Sequence, residues 1–290
     1  MIEIRNGGTV ARLADPRDRE PYYRGTRFDR TGIVLELLSG GHSYVSPWFK
    51  VYDPFKHDAV CGPSEEFTQT GYDAAADGAP FLKPGVGVLA GDGLPYDRFK
   101  LYRILEPGGF SVEPQGASGV LFRHELDGHY SYSKAVSLPS EGRLRLVHEM
   151  RNSGTEPLGF HVYNHNFFVL DGAFTGRATR FRFPFKPEGD WRAPYDCVGL
   201  TNDGIAFSRD LEATESVFMG NLHPAVPVGG GYAFELRNTD NGLGVAAECD
   251  APMDYAVFWS NHEVSCIEPY IRFDIAPGAS ARWTIDYRLF

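Results

Sequence analysis

Glycine and proline recur along the whole chain, 33 and 20 times in 290 residues, so few stretches could carry a long uninterrupted helix. A coiled coil or a helical bundle is therefore a poor solution. Between the breakers lie short alternating or continuous apolar runs, bounded by Gly, Pro, Asn and Asp. They include Gly32–Leu38, Gly85–Leu89, Gly119–Glu125, Tyr130–Leu138, Leu144–Arg151, Gly159–Leu170, Gly242–Glu248, Tyr255–Trp259 and Ala281–Leu289. Such recurrence predicts an all-β protein, a large antiparallel β-sandwich. The segment Arg143–Arg151 alternates as a sheet-surface strand should, and Asn152-Ser153-Gly154 after it reads as a turn. No linker, fixed-period repeat or compositional break divides the chain, so residues 1–290 are expected to form one domain.

Other classes lose support on composition and motif. A formal net charge of -10 has the wrong sign for a protein held by phosphate backbones, so nucleic acid is not an expected partner. No run approaches the roughly 18 apolar residues of a membrane-spanning helix, and Met1–Arg12 lacks the basic start and apolar middle of a signal peptide. The expectation is a soluble, cytoplasmic protein without a membrane partner. Cys61, Cys197, Cys249 and Cys266 have neither zinc-site spacing nor disulfide-scaffold density and read as buried thiols. Seven arginines in the first thirty residues are interleaved with Asp15, Asp18, Glu20 and Asp29, a pattern of a solvated or self-paired surface. Phosphate loops, dinucleotide fingerprints and G-x-S-x-G are absent.

The densest polar cluster in an apolar setting is Phe160–Leu170, FHVYNHNFFVL. As a strand it puts His161, Tyr163, His165 and Phe167 on one face, with Val162, Asn164 and Asn166 on the other. Two imidazoles beside asparagines mark either a site or hydrogen-bonded sheet residues. Glu268, in SCIEPY, follows an apolar pair; it is either a surface carboxylate at a strand end or a partly desolvated general base. In KHDAVCGPSEEF, Glu65 and Glu66 cannot act as a glycosidase pair, because neighbours on a strand point to opposite faces. Lys83 is the one charge in FLKPGVGVL, either a snorkelling edge residue or a ligand contact. His161 and His165 with His57 or Glu268 could approach a metal site, but no dense ligand motif is present, and no metal or other cofactor is expected. Arg177, Arg180 and Arg182 could form an anion clamp or a solvated ladder.

The run YNHNFF, Tyr163–Phe168, resembles the T-N-H-S-Y-F segment of galactose mutarotases (aldose 1-epimerases), and CIEP, Cys266–Pro269, is similar to their C-terminal strand. The ending APGASARWTIDYRLF resembles the Pro-Gly strand that closes that fold. The usual L-H-G-G histidine is missing, and the first half matches more loosely. YYRGTRFDRTGIV, Tyr22–Val34, is similar to an uncharacterised aldose-epimerase-like group. The resemblance implies a mutarotase-like sandwich, His165 as catalytic acid and Glu268 as base. It also implies His57, Lys83, Glu215 and Phe167 as substrate-binding residues, with a small sugar, possibly an anionic one, as partner. The implied reaction exchanges the anomers of an aldose without a cofactor. A sugar-binding protein without turnover, or another acid–base reaction on a carbohydrate, would use the same cleft.

Overall fold

The computed structural model describes residues 1–290 and contains no α-helix, hence none that could cross a membrane. Two antiparallel sheets form the sandwich. The larger runs in the order Val198–Leu200, Gly204–Phe207, Thr179–Arg182, Ala233–Asn238, Gly244–Cys249, Ser280–Leu289, Arg143–Asn152, Tyr130–Ser137, Gly119–Leu126, Gly109–Pro114. The smaller has six strands, Pro187–Trp191, Ser216–Pro224, Tyr255–Asn261, Ser265–Ile275, Leu158–His165 and Ser64–Phe67. A four-stranded sheet starts the chain, and Pro80–Lys83, Gly87–Ala90 and Ile104–Glu106 form a three-stranded one.

The expected strands are present, most within a residue or two of their anticipated ends. Alternation explains why they bury one face: in Arg143–Asn152 every second side chain is buried, and Asn152 Oδ1 accepts the Gly154 N–H at 2.9 Å to start the expected turn. The predicted run Gly159–Leu170 instead stops at His165, because Phe167 and Phe168 turn their N–H groups back onto the carbonyls of His165 and Asn166. Aromatic contacts join the two sheets, with Phe67 against Tyr132 at 5.3 Å, Phe273 against Trp283 at 4.9 Å and Phe181 against Phe258 at 5.5 Å.

The six-stranded sheet carries two kinds of side chain. Phe160, Val162, Ala256, Phe258, Ile267 and Ile271 face the other sheet in the core. The alternate positions, His161, Tyr163, His165, Tyr255, Val257, Trp259, Glu268 and Tyr270, point away from that sheet. Cross-strand registers Val257 to Glu268 and Tyr255 to Tyr270 keep them level. This outer face would be solvated in an ordinary sandwich. Here irregular segments cover it. Asp29 N–H donates to the Glu65 carbonyl at 2.8 Å, which lays residues 14–33 along the free edge of Ser64–Phe67, and the Trp48 indole donates to the Val60 carbonyl at 2.9 Å. Thr26 bonds both the Lys100 carbonyl and the Tyr102 N–H at 3.1 Å, tying the 91–103 segment to the same cover.

The arginine-rich N-terminus divides accordingly. Arg17 pairs with Asp15 and Arg24 with Glu20, the self-paired surface that charge alternation predicts. Arg27 and Asp29 are instead buried, which the alternation gave no reason to expect.

Candidate active site

Between the outer face and its cover lies a cavity of about 710 Å3. On its floor His165 Nε2 stands 3.1 Å from Glu268 Oε1, both side chains 6% exposed. Adjacent strands supply them: His165 ends Leu158–His165, and Glu268 lies in Ser265–Ile275. The imidazole is held by rings. Phe167 stacks on it at 3.7 Å, and the edges of Trp259 and Phe28 stand 5.8 and 6.0 Å away. Backbone packing fixes it from beneath, since a Cβ on Gly62 would come within 2.4 Å of the His165 carbonyl oxygen. Only glycine lets the Ser64–Phe67 strand begin so close.

Burial sets the proton on this pair. It pushes Glu268 up to about 8, with Glu66 adding to the rise against Arg27 and Arg98. Burial also drives His165 well below the ordinary histidine range, with Arg27 and Arg98 pressing the same way. Burial thus favours the neutral form of both groups, which puts the proton shared by the pair on the Glu268 side. An ion pair of His165 and Glu268 would be costly at such depth.

Beneath the floor sits a second carboxylate. Glu66, buried, receives Arg27 Nε and the Tyr163 hydroxyl, each at 2.5 Å, with Lys83 Nζ at 3.4 Å and Arg98 Nε at 3.7 Å. Burial alone would raise its pKa, but Arg27, Lys83 and Arg98 together hold it far below the usual carboxylate range. Arg98 also donates to the hydroxyls of Tyr163 and Tyr270, and so spans the floor. Glu65, the preceding residue, points the other way, into the sandwich, onto Lys134, His148 and Asn164.

The anticipated site residues distribute unevenly. His165, Glu268, His57 and Phe167 line the cavity together. Lys83 does not; it is fully buried, donates to Glu66 and to the Phe67 carbonyl at 2.5 Å, and burial lowers it to about 8. Glu215 also lies elsewhere, gripped by both terminal nitrogens of Arg209 at 2.7 and 2.8 Å. Arg180 turns onto the Arg177 and Thr179 carbonyls and Arg182 onto Asp203, outside the cavity. His161 bonds Asp254 at 2.8 Å, and Asn164 and Asn166 serve the interior, where Asn166 binds the Ile267 carbonyl and the Tyr287 hydroxyl. Phe168 packs in the core. Unanticipated members are Arg27, Trp48, Tyr96, Arg98 and Arg192. Of these, Arg27 carried a signal in the YYRGTRFDRTGIV motif; the others come from loops that no periodicity marks.

Chemically, the floor offers one group able to give a proton and one able to take it, side by side, under aromatic walls formed by Trp48, Phe167 and Trp259. No known family's sequence pattern matches the chain, and no curated protein matches it. Solved structures do match in fold. A galactose mutarotase related enzyme from Lactobacillus acidophilus superposes with a TM-score of 0.57 at 15% identity, over 100% of this chain and 97% of its own. A galactose mutarotase-like protein from Lactobacillus casei gives 0.56 at 12% identity over 100% of both chains. An aldose epimerase homologue from C. elegans gives 0.52 at 13% identity, over 100% of this chain and 98% of its own. The architecture is that of the galactose mutarotase-like β-sandwich.

Proposed function

We propose that the protein is an aldose 1-epimerase-like isomerase that interconverts the α and β anomers of a sugar, with Glu268 and His165 as its acid–base pair. The observation that carries this reading is their 3.1 Å contact on the floor of an aromatic-walled cavity. Anomer exchange removes a proton from the C1 hydroxyl and delivers one to the ring oxygen; the open aldehyde then rotates and recloses. Both oxygens are bonded to C1, so the two groups that serve them must themselves be neighbours. One mobile proton on the pair suffices. For His165 to act as the acid, that proton crosses from Glu268 Oε1 to His165 Nε2, leaving Glu268 as the carboxylate that takes the C1 hydroxyl proton. Reclosure returns both. Trp48, Phe167 and Trp259 offer faces to the sugar's C–H surface, and His57 reaches its hydroxyls.

NMR exchange spectroscopy on pure anomers tests the reading. The wild type accelerates exchange of at least one neutral, phosphorylated or acidic aldose, and Glu268→Gln or His165→Ala lowers the rate by about 10²–10⁴-fold. Unaccelerated exchange across all three sugar classes overturns it. Saturable sugar binding without exchange would identify a carbohydrate-binding protein instead.

A further inference from the structure

The charges on the cavity floor do not balance. Arg27, Lys83 and Arg98 gather on one carboxylate, Glu66, at 2.5, 3.4 and 3.7 Å. Lys83, lowered to about 8, still holds its proton at neutral pH. Burial keeps Glu268 and the hydroxyls of Tyr163 and Tyr270 on their protons as well, so none of these supplies a second anion. Three cations against one carboxylate leave a positive excess. Of the three, Arg27 and Arg98 line the cavity, the first nine-tenths buried and the second two-thirds buried. Both guanidiniums converge on the Tyr163 hydroxyl, Arg27 Nη2 at 3.0 Å and Arg98 Nη1 at 3.3 Å, and Arg98 Nη1 also donates to the Tyr270 hydroxyl at 3.1 Å. The remaining terminal nitrogens, Arg27 Nη1 and Arg98 Nη2, have no acceptor in the protein. Tyr163 and Tyr270 each stand two residues from a member of the reacting pair on the same strand, a step of about 7 Å, and the Tyr163 ring is 6.2 Å from the His165 ring. Asp58 and Asp97 are exposed on the cover; their charges act on His57 and are not among those that shift Glu268, whereas Arg27 and Arg98 are.

From this geometry we infer that the substrate is an aldose that carries its own oxyanion, a carboxylate or a phosphate, and that Arg27 and Arg98 receive it through their unpartnered N–H groups. The inference rests on the anomer-exchange reading and deepens it by naming the class of sugar. One pyranose with its C6 substituent spans the step from the reacting pair to the two tyrosines, so the anion belongs to the same unit whose C1 meets Glu268. Two guanidiniums side by side suit a planar or tetrahedral oxyanion, which each can meet with charged hydrogen bonds. Buried cations without a counter-charge are costly, and the ligand's anion supplies the charge that Glu66 alone does not. Arg27 belongs to the 14–33 segment and Arg98 to the 91–103 segment, which Thr26 already ties together. One anion therefore bonds both parts of the cover and fixes the sugar beneath it.

The test measures anomer exchange on galactose, galacturonate and galactose 6-phosphate, and on the three glucose counterparts, with the wild type and Arg98→Met. In at least one series an anionic member exceeds the neutral sugar about tenfold or more in kcat/KM, and the better of the two anions tells carboxylate from phosphate. Arg98→Met raises the KM of that anionic sugar about tenfold or more, as expected for loss of a charged hydrogen bond, and Arg98→Lys recovers part of the loss. The KM of the neutral sugar changes far less, which a merely structural role of Arg98 would not produce. Neutral sugars turned over as well as both anionic forms, or an equal KM rise for neutral and anionic sugars, overturns the inference and leaves the reaction standing. If the wild type exchanges none of them, the reaction reading fails for these sugars, and isothermal titration calorimetry with the same six decides the inference alone. Binding of an anionic sugar that is tighter than that of its neutral counterpart and weakened in Arg98→Met supports it; equal or absent binding overturns it.

Discussion

Glu66 and Glu268 are two buried carboxylates of one sheet face, and they are kept in opposite charge states. Glu66 is met by Arg27, Lys83, Arg98 and the Tyr163 hydroxyl, which offset its burial and keep it ionised. Glu268 has His165 as its one close partner, and burial lifts it to about 8. Depth is the same; cation supply differs. Glu66 also acts on its neighbour, because its charge raises the Glu268 pKa while balancing the arginines that would lower it. A fixed carboxylate below thus strengthens the hold of the one above on its proton.

The largest expected effect separates the two by stability. Glu66→Gln leaves Arg27, Lys83 and Arg98 buried without their counter-charge and costs about 3–5 kcal/mol in urea unfolding. Glu268→Gln replaces a largely protonated group by a neutral isostere and should cost far less, yet it should lower anomer exchange by about 10²–10⁴-fold. Equal losses from both would break the comparison, since cation supply would no longer distinguish the sites.

A pH series sharpens it. An acid whose pKa is raised by folding binds its proton more tightly in the native state, so the Glu268 contribution is lost as pH rises from about 4.5 through about 8. Glu66 has the opposite sign: its contribution is present above its ordinary 4.5 and is lost as pH falls. The stability of Glu268→Gln relative to wild type should therefore improve between pH 5 and pH 8 and then level off. The stability deficit of Glu66→Gln should shrink in acid. Exchange activity should fall above about pH 8 as the pair loses its proton, and in Glu66→Gln this fall should begin at lower pH. An unchanged limb in that variant would separate Glu66 from the tuning of Glu268.

The contrast also shows what the sequence carries. The sandwich is legible because breakers and period-two alternation are local properties, and the same alternation separates Glu65 from Glu66. His165 and Glu268 are legible from YNHNFF and CIEP. The cover is not. Arg27, Trp48, Arg98 and Arg192 reach the cavity through irregular segments, where no period tells which side chain turns inward. Lys83 is visible as a lone charge in an apolar run, but its partner is Glu66, and that pairing depends on how two small strands meet in space. The same limit explains Arg180 and Arg182, whose acceptors, the Arg177 and Thr179 carbonyls and Asp203, lie at the ends of their own and the neighbouring strand.

The smallest expected effect comes from a third carboxylate. The resemblance implies Glu215 as a substrate-binding residue, yet its two oxygens are held by Arg209 and by the Glu212 N–H at 2.7 Å. The Arg209 hydrogen bonds bring its pKa to about 2, so like Glu66 it is permanently ionised. Unlike Glu66, which is buried beneath the cavity floor and acts on Glu268, it is partly solvated, lies away from the cavity wall and is not among the charges that shift Glu268. Glu215→Gln should leave both KM and the upper pH limb of exchange where they are, because water replaces the lost ion pair on a partly exposed arginine at little cost. A KM rise of about tenfold would place Glu215 on the sugar and would require the strand Ser216–Pro224 to move toward the cavity when substrate binds. Titration of exchange rate against sugar concentration for Glu215→Gln, run beside Glu66→Gln, reads both outcomes from one measurement.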